Sequence, residues 1–195
     1  NYDMPAMPEG VEEGIVRGIY KLKSRDVKGS KTRVQLFGSG AILRSALEAQ
    51  EILADRYKIA SDVWSVTSYT LLRRDAQECE RWNMLHPDEK PRRSYIQEVL
   101  DGAKGPIVSS SDNVRAVGEQ LLPYIEQDYY VLGTDGMGRS ETRQALRRHF
   151  EVDAASIVIA ALYRLSKQGS FSGADVAKAI KELEFDSDKK NPLFA

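Results

Sequence analysis

Two hydrophobic periods alternate along this chain, one of two residues and one of about 3.6, and their order predicts a sheet with helices packed on it. Strand-like runs occur at 18–23, 32–37, 62–66, 106–109 and 129–132. Between and after them lie helical patterns at 41–57, from about 71 to 85, and at 113–125, 140–150, 154–168 and 174–183. In the 41–57 segment Ile42, Leu43, Ala46, Ala49 and Leu53 recur on one face with no proline to interrupt them. A short helix is expected after Val11, although Gly14 and Gly18 weaken its pattern, and 95–100 reads as a short amphipathic piece.

Strands that alternate with helices imply a mostly parallel sheet, because a parallel pair needs a crossover and a helix supplies it. The polar turn 26–31, with Gly29 inside it, predicts that the first two strands pair as an antiparallel hairpin, the first strand being the antiparallel exception. Thr67-Ser68 offers a helix cap, and His86-Pro87 closes the helix that follows. Residues 1–10, with Pro5, Pro8 and two methionines, read as an extended arm.

Composition narrows the class. The 195 residues suit one sizeable core, and 42% apolar with 29% charged residues is a globular balance. Lys plus Arg total 28 against 29 Asp plus Glu, spread along the chain, so no basic footprint for nucleic acid exists. No run of about 18 apolar residues could span a bilayer, and no apolar signal segment stands at the N-terminus. One cysteine, Cys79, excludes an internal disulfide and fits a reducing, cytoplasmic setting. A first residue of Asn1 rather than Met leads us to expect a piece of a longer chain.

Candidate chemistry is sparse. Gly38-Ser-Gly40 sits at a strand-to-helix turn, but Leu43 stands where a dinucleotide fingerprint needs its third glycine, which leaves plain turn chemistry. Cys79 and His86 are seven residues apart, yet no orienting group or oxyanion site accompanies them, and the thiol reads as a small core residue. His149 follows Arg147-Arg148 near a helix C-terminus, where a cation suits the dipole. Trp64 and Trp82 read as core and interface anchors.

The densest stretch is Gly133 to Arg143, GTDGMGRSETR, at the carboxyl end of the last strand, where open α/β sheets bind ligands. It lacks the lysine of a phosphate loop and holds too few carboxylates, Asp135 and Glu141, for a calcium loop. Two readings stay open: a structural or interface turn with Ser140-Glu141 as the helix cap, or a ligand loop with Arg139 and Arg143 as anion partners.

Four segments together, MPAMPEGVEEGIVRGIYKL (4–22), VQLFGSGAILRSALEAQEILA (34–54), SDVWSVTSYTLLRRDAQECERWNMLHP (61–87) and LGTDGMGRSETRQALRRHFEVDA (132–154), resemble the C-terminal domain of the homodimeric pyruvate dehydrogenase component. That component is a thiamine diphosphate enzyme of the transketolase superfamily, and the resemblance runs nearly end to end. It implies a three-layer α/β transketolase C-terminal-like domain at 18–195, with a five-stranded mixed sheet, preceded by an arm and short helix at 1–17 from a preceding domain. It also implies a parent enzyme that decarboxylates pyruvate on thiamine diphosphate with magnesium and passes the acetyl group to the lipoyl arm of the dihydrolipoyl acetyltransferase component. The expected partners are that component, the preceding thiamine-binding domains and a homodimer partner.

The superfamily's diphosphate and magnesium motif, Gly-Asp-Gly with a later Asn pair, is absent; the nearest string is Thr134-Asp135-Gly136. The resemblance therefore carries over no catalytic, cofactor-binding or metal residue, and no bound cofactor is expected on these 195 residues. Asp135, Arg139 and Arg143 stand as candidates for interface or anion contact. Three rivals are a transketolase domain, a stand-alone anion-binding regulatory module and a pure interaction domain.

Overall fold

The computed structural model describes residues 3–195. Strands β1 (Ile19–Arg25), β2 (Arg33–Gly38), β3 (Ala60–Val66), β4 (Ile107–Ser110) and β5 (Tyr129–Leu132) form one sheet in the order β1-β3-β2-β4-β5. β1 runs antiparallel to β3, and all other neighbours are parallel. The expected hairpin of the first two strands is therefore wrong: β3 lies between them. Burial explains the order. β3 is buried at all seven positions and β2 at all but its first, whereas only the first residue of β1 is buried. A strand buried on both faces belongs inside a sheet, and a half-wet strand belongs at its edge.

A polar network stitches β2 to β3. The buried Gln35 side chain accepts from Trp64 Nε1 at 2.7 Å and donates to Asp62 at 3.1 Å, while Arg33 Nη1 donates to Asp62 at 2.7 Å. The buried Gln35 and Asp62 side chains thus have partners, without which each would cost about 1–3 kcal/mol.

Eight helices complete the described residues: α1 (Glu12–Arg17), α2 (Leu43–Tyr57), α3 (Tyr69–Leu85), α4 (Tyr95–Val99), α5 (Arg115–Glu119), α6 (Arg143–His149), α7 (Ala154–Lys167) and α8 (Gly173–Glu182). Alternation along β2 and β3 sends Leu36 and Val63 to one face, with Leu53 of α2, Leu162 of α7 and Ala179 of α8. Phe37 and Trp64 go to the other, with Leu72 of α3, Ile96 of α4 and Tyr129. The result is three layers around two cores.

Ser68 caps α3 by accepting from Leu71 N at 3.2 Å, in accord with the Thr67-Ser68 signal. The predicted helix at 113–125 is instead five residues of α5 followed by a short 3₁₀ turn, Leu122–Tyr124. Pro123 has no N–H to continue α5, and Gly118 is pressed so close to Val131 that a Cβ would lie 2.8 Å from it. α1 is tied down by Thr67 Oγ1 donating to Ile15 O at 2.7 Å and by the Arg17 guanidinium 3.9 Å from the Tyr95 ring centroid.

Trp64 is buried, as a core anchor should be. Trp82 lies between the stacked His86 ring, 4.4 Å away, and the Arg92 guanidinium at 3.9 Å. Cys79 is only half-buried, unlike the core thiol expected; its Sγ lies 3.6 Å from Arg93 O. Burial, then Asp75, pushes its thiol pKa up, the reverse of an activated nucleophile.

Candidate functional site

The strand order changes direction between β2 and β4, so the loops after β2, β4 and β5 converge at one carboxyl edge. Open α/β sheets bind ligands at such a switch point. Here three loops meet: Gly38 to Ile42, Ser111 to Arg115 and Gly133 to Thr142.

The first half of the Gly-rich loop is stitched to its neighbour. Thr134 N donates to Asn113 O at 2.9 Å, and Thr134 Oγ1 donates to Asp112 O at 2.7 Å. Asp135 Oδ1 accepts from Arg115 N at 2.9 Å, which satisfies a first-turn amide of α5. Asp135 is thus turned toward backbone. Gly133 has no space for a side chain, since a Cβ would stand 2.7 Å from both Arg115 N and Asn113 O.

Gly136 marks a second junction. Its φ is +104°, and a Cβ there would lie 2.1 Å from Pro192 O. The C-terminal segment therefore closes directly over the loop, an arrangement that the sequence reading missed. That segment is anchored by Lys189, whose Nζ donates to His149 O at 2.6 Å and Arg148 O at 3.2 Å, carbonyls at the end of α6.

The second half of the loop is exposed, with Met137 73% accessible and Arg139 open to solvent. Thr142, rather than Ser140, caps α6: its side chain accepts from Ala145 N at 3.3 Å. Glu141 accepts from Thr142 N at 3.0 Å, so the acid stands just before the N-cap rather than in the first turn.

α6 separates two clefts. One, of about 390 Å³, opens at the switch point. Its charged lining is Arg139, Arg143, Arg147 and Asp112, and its apolar lining includes Ile42, Leu146, Phe150 and Val152. The other, of about 680 Å³, lies toward α2 and α8 and is lined by four arginines, Arg56, Arg143, Arg147 and Arg148. Four acids, Glu48, Asp153, Glu182 and Glu184, balance them. Arg148 pairs with Asp153 at 2.8 Å.

The local field is legible at His149, whose pKa lies below its usual value because of burial first, then Arg139 and Lys189, with Glu151 opposing. The structure thus brings Arg139 and Arg143 to one cleft and sets Asp135 to hold backbone. Arg147 was overlooked as a lining residue; its position four residues after Arg143 puts both on one face of α6.

The fold and this edge define a class. The family model described as the transketolase-like TK C-terminal domain matches residues 18–153, and the chain belongs to that family. Beyond the family, the chain is 56% identical over 196 residues to the pyruvate dehydrogenase E1 component of Escherichia coli (strain K12), covering 100% of this chain and 22% of that one. It is 47% identical to the pyruvate dehydrogenase E1 component of Pseudomonas aeruginosa, covering 99% of this chain and 22% of that one. The chain therefore spans about a fifth of the length of these relatives. Among solved structures, a transketolase from Leishmania mexicana superposes with a TM-score of 0.53 at 21% identity, covering 80% of this chain and 19% of that one; it shares the fold.

Proposed function

We propose that the chain is the C-terminal domain of a pyruvate dehydrogenase E1 component, with residues 18–195 as the folded unit and 1–17 as the connection from a preceding domain. The observation that carries this reading is the 56% identity across the whole chain to such a component. In the full-length enzyme, pyruvate would be decarboxylated on thiamine diphosphate with magnesium, in the cytoplasm, and the acetyl group passed to a lipoyl group of the acetyltransferase component. The partners would be the preceding domains, a second copy of the enzyme and that acetyltransferase, with neither nucleic acid nor membrane involved.

The residues present do not fit the cofactor. The Thr134-Asp135-Gly136 string, the nearest to a diphosphate and magnesium motif, has its carboxylate on Arg115 N and its glycine against Pro192 O. Among the described residues no group of three or more His, Cys, Asp or Glu could hold a metal ion. No step is assigned to this chain; its role is scaffold and contact surface. No helix among the described residues is long and apolar enough to cross a membrane.

The test is turnover of the full-length gene product. Carbon dioxide release from pyruvate that requires added thiamine diphosphate supports the reading. Ketol transfer between sugar phosphates without pyruvate turnover would move the chain to a transketolase instead. Micromolar thiamine diphosphate binding by the 195 residues alone would overturn the domain assignment.

A further inference from the structure

The chain holds two Asp-Gly steps, Asp101-Gly102 and Asp135-Gly136, and the fold treats them differently. An aspartyl carboxyl lies within reach of the next residue's amide nitrogen, and glycine, with no Cβ to shield that nitrogen, leaves it open to ring closure. Closure requires the turn to rearrange, so local freedom decides which of the two steps reacts.

Asp101-Gly102 stands in the turn that joins α4 to β4. Both residues are exposed, and the Asp101 side chain is 70% accessible. Its carboxylate faces Arg93 at 3.4 Å, an exposed ion pair of the kind that restrains little. Gly102 has a φ of +71°, and nothing lies within 4 Å of the place a Cβ would take. The backbone here is held by short-range turn bonds, Asp101 N donating to Glu98 O at 3.2 Å and Ala103 N to Leu100 O at 2.9 Å.

Asp135-Gly136 is restrained at both residues. Asp135 Oδ1 accepts from Arg115 N at 2.9 Å, and Gly136 lies so close to Pro192 that a Cβ would stand 2.1 Å from its carbonyl oxygen. Ring closure there has to release the carboxyl from that amide and turn the backbone beneath the C-terminal segment.

We infer that Asp101 is a site of spontaneous isoaspartate formation and that the fold protects Asp135 from the same reaction. Gly102 N attacks Asp101 Cγ in the carboxylic acid form. A C–N bond forms, the amide proton and the carboxyl hydroxyl leave together as water, and a succinimide ring results. Water then adds back to either ring carbonyl. Opening at Cγ restores aspartate, whereas opening at the Asp101 backbone carbonyl carbon routes the chain through Cβ and Cγ and leaves the α-carboxylate free. Mass is unchanged at the end, and water is the sole reagent. The rerouted turn is a methylene longer, which disrupts the Ala103-to-Leu100 bond. Two side-chain anchors share this turn: Gln127 Nε2 donates to Leu100 O at 3.2 Å and the buried Gln35 donates to Lys104 O at 3.0 Å. The inference does not depend on the assignment of pyruvate chemistry.

The experiment ages the full-length gene product near neutral pH at physiological temperature, and in parallel in denaturing urea, and then maps tryptic peptides. Residues 94–104 carry Asp101, and residues 116–139 carry Asp135. Isoaspartate is read as a shift in chromatographic retention at unchanged mass and by enzymatic methyl esterification of the isoaspartyl carboxylate. In the folded protein it should accumulate in the 94–104 peptide at least about tenfold faster than in the 116–139 peptide, and in urea the two rates should come within about twofold of each other. Asp101→Glu, whose longer side chain closes a larger ring far more slowly, should abolish the signal in 94–104 and leave 116–139 unchanged, with circular dichroism verifying its fold. Isoaspartate that forms at Asp101 in urea but not in the folded protein overturns the proposal, as do equal rates at the two steps in the folded protein. A signal in 94–104 that survives Asp101→Glu overturns the assignment to this residue.

Discussion

α6 and α7 follow one another in the chain, and they are built from opposite chemistry. α7 buries nine of its 14 residues, among them Ile157, Ala161 and Leu162, between the sheet and α2. α6 buries none of its seven and carries Arg143, Arg147, Arg148 and His149. The first helix holds the domain together by the area it removes from water; the second borders clefts and contributes charge. Because α6 adds little to the core, its sequence is free to serve a ligand or a neighbour.

The comparison breaks if the two helices tolerate truncation equally. Leu162 has 0% exposure, and Leu162→Ala should cost about 2–5 kcal/mol in urea unfolding, the cavity term adding to lost transfer energy. Arg143→Ala, at an exposed position, should change stability by no more than about 0.5 kcal/mol. Similar losses for both would show that α6 is part of the core.

A second pair of substitutions sharpens the boundary within the loop that leads into α6. Gly136→Ala forces a Cβ into Pro192 O at a backbone angle that side chains rarely adopt, so the C-terminal segment must move. The expected cost is about 1–3 kcal/mol, with faster amide exchange at Leu193 and Phe194. Gly138→Ala, with nothing within 4 Å of the added carbon, should be nearly silent. A silent Gly136→Ala would mean that the segment does not close on the loop.

What the sequence made legible follows the same division. The period of α7, the period of α2 and all five strands were readable because burial leaves a repeating pattern. Strand neighbours were not: alternation in β1 and β2 predicts two strands, but the partner is set by the doubly buried β3, whose Trp64 and Asp62 meet Gln35 across the sheet. The Gly-rich loop was recognisable as a site candidate by position, and Arg139 and Arg143 do reach one cleft. Asp135 accepts from Arg115 N, a contact between residues 20 apart that no local pattern encodes. The C-terminal closure over Gly136 was invisible for the same reason.

The smallest expected effect tests whether the charges of α6 and its loop act on one another. Among the groups facing His149, Arg139 and Lys189 lower its pKa below 6.5, Glu151 raises it, and burial is the largest cause. Arg139→Ala removes one of the lowering charges, so the His149 pKa should move up part of the way, read by NMR titration with the two histidine signals assigned through His86→Gln. The consequence for stability has a definite sign. With its folded pKa depressed, His149 takes up a proton more readily in the unfolded chain, so it erodes stability as pH falls through 6.5 toward the folded value. Arg139→Ala narrows that window and should make the variant relatively more stable in acid, with no difference near neutral pH. A His149 signal that does not shift on loss of Arg139 would mean that solvent screens the loop from the helix, and the concentration of charge that distinguishes α6 from α7 would then be only nominal.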